Sequence, residues 1–244
     1  MTQADSLMLF DVIDTTWPSE AQQHVGPWII RNGAGGGNRV SAATANGTVR
    51  ASNVAPAEQA MRALGQKPLF QMRPGDEATD AVLDRAGYVV RDETALYAAS
   101  ITTLTTQRPP PVTAFTVWPP LAAQTDIWAQ GGVGPARLAV MDRVSCTKTT
   151  FLGRIDDRPA ATLFVAVHGG IAMLHALEVA PAFRRRGLAQ QMTRAAAFWA
   201  QARGATTFSL LATTGNGAAN ALYQGLGMTV VAGYHYRALP KDAS

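Results

Sequence analysis

The densest chemistry in this sequence lies between Glu178 and Ala189. Strand-forming residues run out at Val179, and the basic turn Arg184-Arg185-Arg186-Gly187-Leu188-Ala189 follows, with a helix expected from Gly187. A strand, a glycine turn and a helix N-terminus in that order form an anion site. The first-turn N–H groups lack intrahelical acceptors, and the macrodipole places partial positive charge beside them. Three guanidinium groups add donors matched to phosphate oxygens, so the stretch suits a pyrophosphate. Upstream on the strand stand two groups that can accept protons, His175 and Glu178; downstream Asn216, Asn220 and Tyr223 fall on one face of a later helix.

The elements that must position these groups can be read in order. Thr149 to Arg154, Ala160 to His168 and Ile171 to Val179 read as three consecutive antiparallel strands, with turns at Asp156-Asp157-Arg158 and His168-Gly169-Gly170. Leu188, Met192, Ala195, Ala196 and Trp199 make an apolar helix face ended by Gly204. Phe208 to Ala212 is a strand and Gly217 to Leu226 a helix; Thr229 to Val231 and Tyr234 to Leu239 close the sheet. Upstream, helices are expected at Pro56 to Leu64, from Asp76 to Ala86, at Leu121 to Trp128 and at Gly134 to Asp142. Strands are expected at Trp28 to Arg31, Leu69 to Met72, Tyr88 to Val90 and Ala95 to Ile101. Arg39 to Ala43 is the expected hairpin partner of the Trp28 strand. The glycine run Gly33 to Asn38 between them is then a flexible loop overhanging a substrate cleft, not a dinucleotide fingerprint, because Asn38 stands where the third glycine would be. The stiff Arg108-Pro109-Pro110-Pro111 segment is the expected domain boundary.

Composition narrows the function classes. The chain has 244 residues, 47% of them hydrophobic and 16% charged, which suits a sizeable core. Its net charge of +4 is gathered largely at Arg184–Arg186, which favours a local anionic ligand over a nucleic-acid footprint. The single cysteine, Cys146, cannot form an internal disulfide, and no apolar run is long enough to span a bilayer. A soluble, cytoplasmic protein is expected.

The two halves also share a pattern. Asp76 to Gly87 and Asn216 to Gly227 are equally spaced, which sets Asp80 on Asn220 and Leu83 on Tyr223. The stretch from Pro56 to Gly65 is too short for the arginine–glycine turn and long helix that fill Pro181 to Gly204.

Taken together, Val179-Ala180-Pro181-Ala182-Phe183, the turn Arg184 to Ala189 and the helix Asn220-Ala221-Leu222-Tyr223-Gln224-Gly225-Leu226-Gly227 resemble the GNAT superfamily of acyl-CoA-dependent N-acyltransferases, whose phosphate turn reads Gln/Arg-x-x-Gly-x-Gly/Ala. The resemblance covers residues 113–244 and implies an α/β (α+β) fold of two such halves, each a mixed, mostly antiparallel sheet flanked by helices. Residues 1–108 would be a degenerate copy lacking the pyrophosphate turn, and residues 113–244 the catalytic unit. It implies further that Arg184, Arg185, Arg186, Gly187, Leu188 and Ala189 hold the CoA pyrophosphate, with Asn216 and Asn220 also facing the cofactor. Leu177 and Val179 would pair with the pantetheine arm, an N–H near Val179 would polarise the thioester carbonyl, and Tyr223 would protonate the departing thiolate.

The acyl group would then pass from acetyl-CoA directly to the primary amine of a small molecule, amino acid or peptide. A lysine-like amine is only about one part in 2,500 neutral at pH 7, a deficit of roughly 4.6 kcal/mol, so desolvation or a base must help. Glu178 and His175 are the candidates. They point to opposite faces of a regular strand, but the family bulges this one, so alternation leaves the choice open. A CoA-binding sensor without turnover is the alternative function. Neither a metal, a nucleic acid nor a membrane is expected as a partner, and the oligomeric state is left open.

Overall fold

A computed structural model describes residues 3–240 of the chain; the outer ends of the two expected units, residues 1–2 and 241–244, lie outside the described residues. In chain order the elements begin with α1 (Gln3–Thr16), β1 (Ala21–Val25), β2 (Trp28–Asn32), α2 (Asn38–Ser41), β3 (Thr44–Ala45), α3 (Val54–Ala63), β4 (Leu69–Met72), α4 (Glu77–Arg85), β5 (Val89–Ser100) and α5 (Ile101–Leu104). They continue with β6 (Ala114–Val117), α6 (Ala122–Gln130), α7 (Pro135–Arg143), β7 (Thr147–Ile155), β8 (Arg158–His168), β9 (Ile171–Val179), α8 (Leu188–Gln201), β10 (Thr207–Thr213), α9 (Gly217–Gly225) and β11 (Thr229–Ala238).

Eight strands form one mixed sheet in the order β4-β11-β5-β10-β9-β8-β7-β6; β1, β2 and β3 form a small separate sheet. All pairings in the large sheet are antiparallel except β9 with β10. The expectation of one sheet per half is therefore corrected. β5, from the N-terminal half, lies between β10 and β11, and β11 lies between β5 and β4. The two short strands expected on either side of Arg91 are also one strand, as are those expected around Ala232. Both are single strands because β5 and β11 pair with each other across two bulges, which absorb the irregular stretches.

The exchange of strands has a regular geometry. Leu210 of β10 faces Tyr97 of β5, and Phe70 of β4 faces Arg237 of β11. One constant offset in residue number carries Phe70 onto Leu210, Asp80 onto Asn220 and Gly87 onto Gly227, and the same offset taken backwards carries Arg237 onto Tyr97. The side chains follow the same rule. Asn220 of α9 accepts from the Tyr97 hydroxyl at 2.9 Å, and Asp80 of α4 takes the Arg237 guanidinium through both oxygens at 2.7 and 2.8 Å. Each helix thus binds the strand contributed by the other half. Arg237 also pulls the Asp80 carboxyl down to about 2.

Apolar residues sort onto both faces of the sheet. On one, Leu188, Met192, Ala196 and Ala200 of α8 pack with Phe208, Leu210, Tyr223 and Leu226. On the other, Leu9, Phe10 and Ile13 of α1 meet Leu96, Met173 and Tyr236, while Trp17, Trp128, Val140 and Phe164 form the adjoining layer beneath α6 and α7. Helix α1 of the N-terminal half therefore lies on β8 and β9 of the other. Trp28 and Trp128 are core residues without exposure.

The hairpin expected between Trp28–Arg31 and Arg39–Ala43 is also corrected. β2 pairs with β1, joined through Gly26-Pro27 with Gly26 at φ +57, and on its other edge with β3, just beyond the expected partner; Asn38–Ser41 is helical. The glycine run between them is no flexible overhang. A Cβ at Gly36 would come within 2.6 Å of Val140, and one at Gly35 within 3.3 Å of Ala136, so the loop lies against α7 at a distance only glycine allows.

Candidate active site

Strand β9 carries one residue more than its partner over a short stretch. Phe164 faces His175 and Thr162 faces Glu178, so the register slips by one between them. Ala176 takes φ +50, and its carbonyl accepts the buried Trp128 indole N–H at 2.7 Å. The bulge resolves the alternation problem: Thr162 and Phe164 share a face of β8, so His175 and Glu178 share a face of β9.

The parallel pairing of β9 with β10 runs from Ile171 opposite Thr207 to Leu174 opposite Leu210 and stops. Both strands continue, to Val179 and Thr213, with a gap between them. Ala180 sends its N–H to the Ala160 carbonyl of β8 at 2.9 Å. Alternation then turns the N–H groups of Leu177 and Val179 away from β8 and toward the gap.

A cleft of about 680 Å³ opens there, lined by Leu177, Glu178, Val179, Arg184, Arg185, Gly187, Ala189, Gln190, Asn216, Leu222 and Tyr223. Its floor is the turn before α8. Arg185 sits at φ +63 and Gly187 at φ +77, and among the described residues no main-chain acceptor meets the N–H groups of residues 185–190. Left-handed backbone beside a run of free N–H groups is an anion nest. A Cβ at Gly187 would meet no protein atom, so glycine answers there to the backbone conformation and to the approach of a ligand.

The three arginines play different parts. Arg184 donates to the Val179 carbonyl at 3.0 Å and to Glu178 at 2.9 Å. Arg186 holds Asp156 with two bonds of 3.1 Å. Arg185 has no ion-pair partner among the described residues, so it is the guanidinium available to an incoming phosphate. Leu188 is buried in the core and is not among the residues that line the cleft.

Of the later helix, Tyr223 lines the cleft. It is 6% exposed, its hydroxyl has no hydrogen-bond partner among the described residues, and burial pushes it up to about 12. Asn216 borders the cleft, but its side chain caps α9 by accepting from Ala219 N–H at 3.1 Å. Asn220 lies outside the lining. Its amide donates to the carbonyls of Thr213, Thr214 and Asn216 while its oxygen accepts from Tyr97. Asn220 ties the loop, the helix and β5 together, which corrects its expected place among the cofactor contacts.

His175 also departs from expectation. It is 4% exposed, stacked at 4.9 Å on Trp17, and both ring nitrogens are engaged. Arg39 donates to Nδ1 at 3.0 Å, which assigns the proton to Nε2 for donation to Thr16 Oγ1 at 2.9 Å. Burial first, then the Arg39 charge, hold the imidazole well below its ordinary value. It is a neutral, fully bonded ring that positions Arg39 and α1, not a base. Glu178 remains at the cleft, its Oε1 held by Arg184 and its carboxylate lying over Gly131, where an added Cβ would come within 2.6 Å of it. No pattern in the sequence pointed to Thr16, Trp17 and Arg39 as neighbours of His175, since they lie in a different half of the chain.

Residues 123–228 match the model of the acetyltransferase (GNAT) family. The chain carries a GNAT acetyltransferase domain. That segment holds the bulged strand, the arginine–glycine turn and α9. The family assignment supports acyl-CoA-dependent acetyl transfer, and GNAT enzymes act on small-molecule or protein amines. Among solved structures, a GCN5-related N-acetyltransferase from Kribbella flavida is 21% identical, with 96% of this chain and 95% of that one covered and a TM-score of 0.72. A putative GNAT acetyltransferase from Novosphingobium aromaticivorans is 17% identical over 93% and 96% of the two chains, with a TM-score of 0.57. A tandem GNAT protein from the clavulanic acid biosynthesis pathway is 13% identical over 86% and 76%, at 0.61. At these identities the likeness is one of fold, and it extends across both halves. No curated protein sequence matches the chain. Among the described residues no helix is long and apolar enough to cross a membrane.

Proposed function

We propose that this GNAT domain transfers an acetyl group from acetyl-CoA directly to a primary amine, at a single site in residues 113–244. Residues 1–108 are then a degenerate copy, which supplies β4, β5 and α1 and forms the acceptor side. The supporting observation is one cleft that joins the unpaired end of β9, the N–H nest before α8 and the unpartnered Tyr223 hydroxyl.

The residues fit acetyl-CoA. The N–H groups of residues 185–190 and the free Arg185 side chain suit a pyrophosphate, with open space above Gly187 for its approach. The N–H groups of Leu177 and Val179 suit the amides of the pantetheine arm. The Val179 N–H is also placed to polarise the thioester carbonyl, as a fixed main-chain donor does at an oxyanion.

In the reaction the neutral amine nitrogen forms a bond to the thioester carbonyl carbon and the carbon–sulfur bond breaks. The amine proton leaves to Glu178, directly or through water, by way of Oε2, because Arg184 occupies Oε1. Tyr223, kept protonated by burial, donates to the departing sulfur. CoA release from acetyl-CoA, followed across a panel of amines, tests the reading. Amine-dependent release with a matching N-acetylated product is expected. Tight CoA binding without release for any amine would overturn it in favour of a sensor.

A further inference from the structure

On the opposite side of the β9–β10 gap lies a second hollow of about 450 Å³. His175 and Ala176 of β9 and Leu211 and Thr213 of β10 border it on one side; Trp17, the Gly36–Arg39 segment and Arg137 border it on the other. The two hollows thus meet the same unpaired strand ends, one from each side.

The charge in this hollow is unbalanced. Arg39 and Arg137 both line it, and among the described residues neither forms an ion pair. Arg39 spends one nitrogen on the neutral His175 ring and lies 5.9 Å over the Trp17 ring; its Nε is buried with no acceptor. Arg137 has one long contact, 3.4 Å to the Gly132 carbonyl, and its guanidinium lies so close to Gly37 that a Cβ there would come within 3.3 Å of it. The wall's one carboxylate, Asp92, accepts from the Asn38 side chain at 3.2 Å. A buried guanidinium N–H without an acceptor is costly to keep, and a planar fork of donors is matched by a carboxylate.

Resting on the acyltransfer reading, we infer that this hollow is the acceptor subsite and that the acceptor is an amine bearing a carboxylate, an amino acid in the simplest case, its carboxylate held by Arg39 and Arg137. The glycine run has a function in this arrangement: it lets the loop lie flat on α7 so that Arg39 and Arg137 reach the same hollow. Two unpaired guanidinium groups also disfavour polycationic amines, which would bring like charge to them.

The test compares matched acceptors in the CoA-release assay: phenylalanine with phenethylamine, leucine with isopentylamine, and lysine with cadaverine. The acids are expected to be the better substrates in kcat/KM by tenfold or more. Arg39→Gln and Arg137→Gln should each raise KM for the amino acid by about ten- to hundredfold while KM for acetyl-CoA stays within twofold. Arg39→Lys should recover only part, because a point charge lacks the fork. Equal turnover of acids and amines, no turnover of any acid while CoA still binds, or Arg137→Gln without effect overturns the proposal. Failure of acetyl-CoA to bind at all overturns the acyltransfer reading instead, so the two failures are distinguishable.

Discussion

Replacing Tyr223 by phenylalanine removes one hydroxyl and keeps the ring that lies 5.8 Å from Tyr97. The hydroxyl has no hydrogen-bond partner among the described residues, so its loss leaves no bonded group orphaned and folding should barely change. Its effect on turnover follows from acidity. Burial pushes Tyr223 up to about 12, whereas an ordinary thiol titrates near ~8.5, a gap of about 3.5 units or ~4.8 kcal/mol. Complete proton transfer to the sulfur is therefore uphill, and Tyr223 acts chiefly as a hydrogen-bond donor to the charge growing there. Removing one such donor costs about 3–4 kcal/mol of transition-state stabilisation, or about a hundred- to a thousandfold in kcat. The assay is steady-state CoA release with acetyl-CoA and amine varied separately, over about pH 6 to 10. The phenylalanine variant should lose kcat at every pH while KM for acetyl-CoA stays within threefold. The parent enzyme should show no alkaline decline from Tyr223 in that range, since its proton is lost only near pH 12. A variant with kcat within threefold of the parent, or one whose loss is entirely in KM for acetyl-CoA, refutes the donor role.

Three further outcomes are expected. Gly187→Ala places a Cβ at φ +77, costing about 1–2 kcal/mol in backbone strain, and intrudes on the nest; isothermal calorimetry should show CoA binding at least tenfold weaker with a folded protein. Asn220→Ala deletes two N–H donors shared among the Thr213, Thr214 and Asn216 carbonyls and one accepted bond from Tyr97, which join α9 to the Thr213–Thr214 loop and to β5, and should cost about 2 kcal/mol in denaturant unfolding. Asp80 has its acid form suppressed mainly by the Arg237 hydrogen bond, down to about 2. Its contribution is therefore full above the ordinary value of 3.8 and lost as pH falls toward 2. Asp80→Asn should cost about 1 kcal/mol at neutral pH, the shift being discounted for solvent screening, and should flatten the pH dependence of unfolding between about pH 4 and 2.

Much of this protein is local and was legible in the residues alone. The hairpins β7–β8–β9 are written in alternating apolar runs with polar turns, α8 in its apolar face and terminal Gly204, and the anion nest in Arg184–Ala189, because each depends on neighbours in sequence. The equal spacing from Asp76 to Gly87 and from Asn216 to Gly227 is likewise legible by counting along the chain.

What the sequence could not decide was which strand enters which sheet. The pairing of β5 with β11 joins residues far apart in the chain, and no local pattern encodes such a partner. The same separation hid the fates of single side chains. Asn220 was read as a cofactor contact, and only the arrival of Tyr97 from the other half makes it a structural tie. His175 stands in the sequence as one of two candidate bases beside Glu178, and only Thr16 and Arg39 closing on its two nitrogens make it a neutral anchor. Residue type and spacing thus determined an anion site at the turn before α8, and the resemblance to the GNAT superfamily made acyl-CoA its expected ligand. The tertiary exchange between halves decided what faces it, because burial and ion pairing depend on neighbours in space rather than on neighbours in the chain.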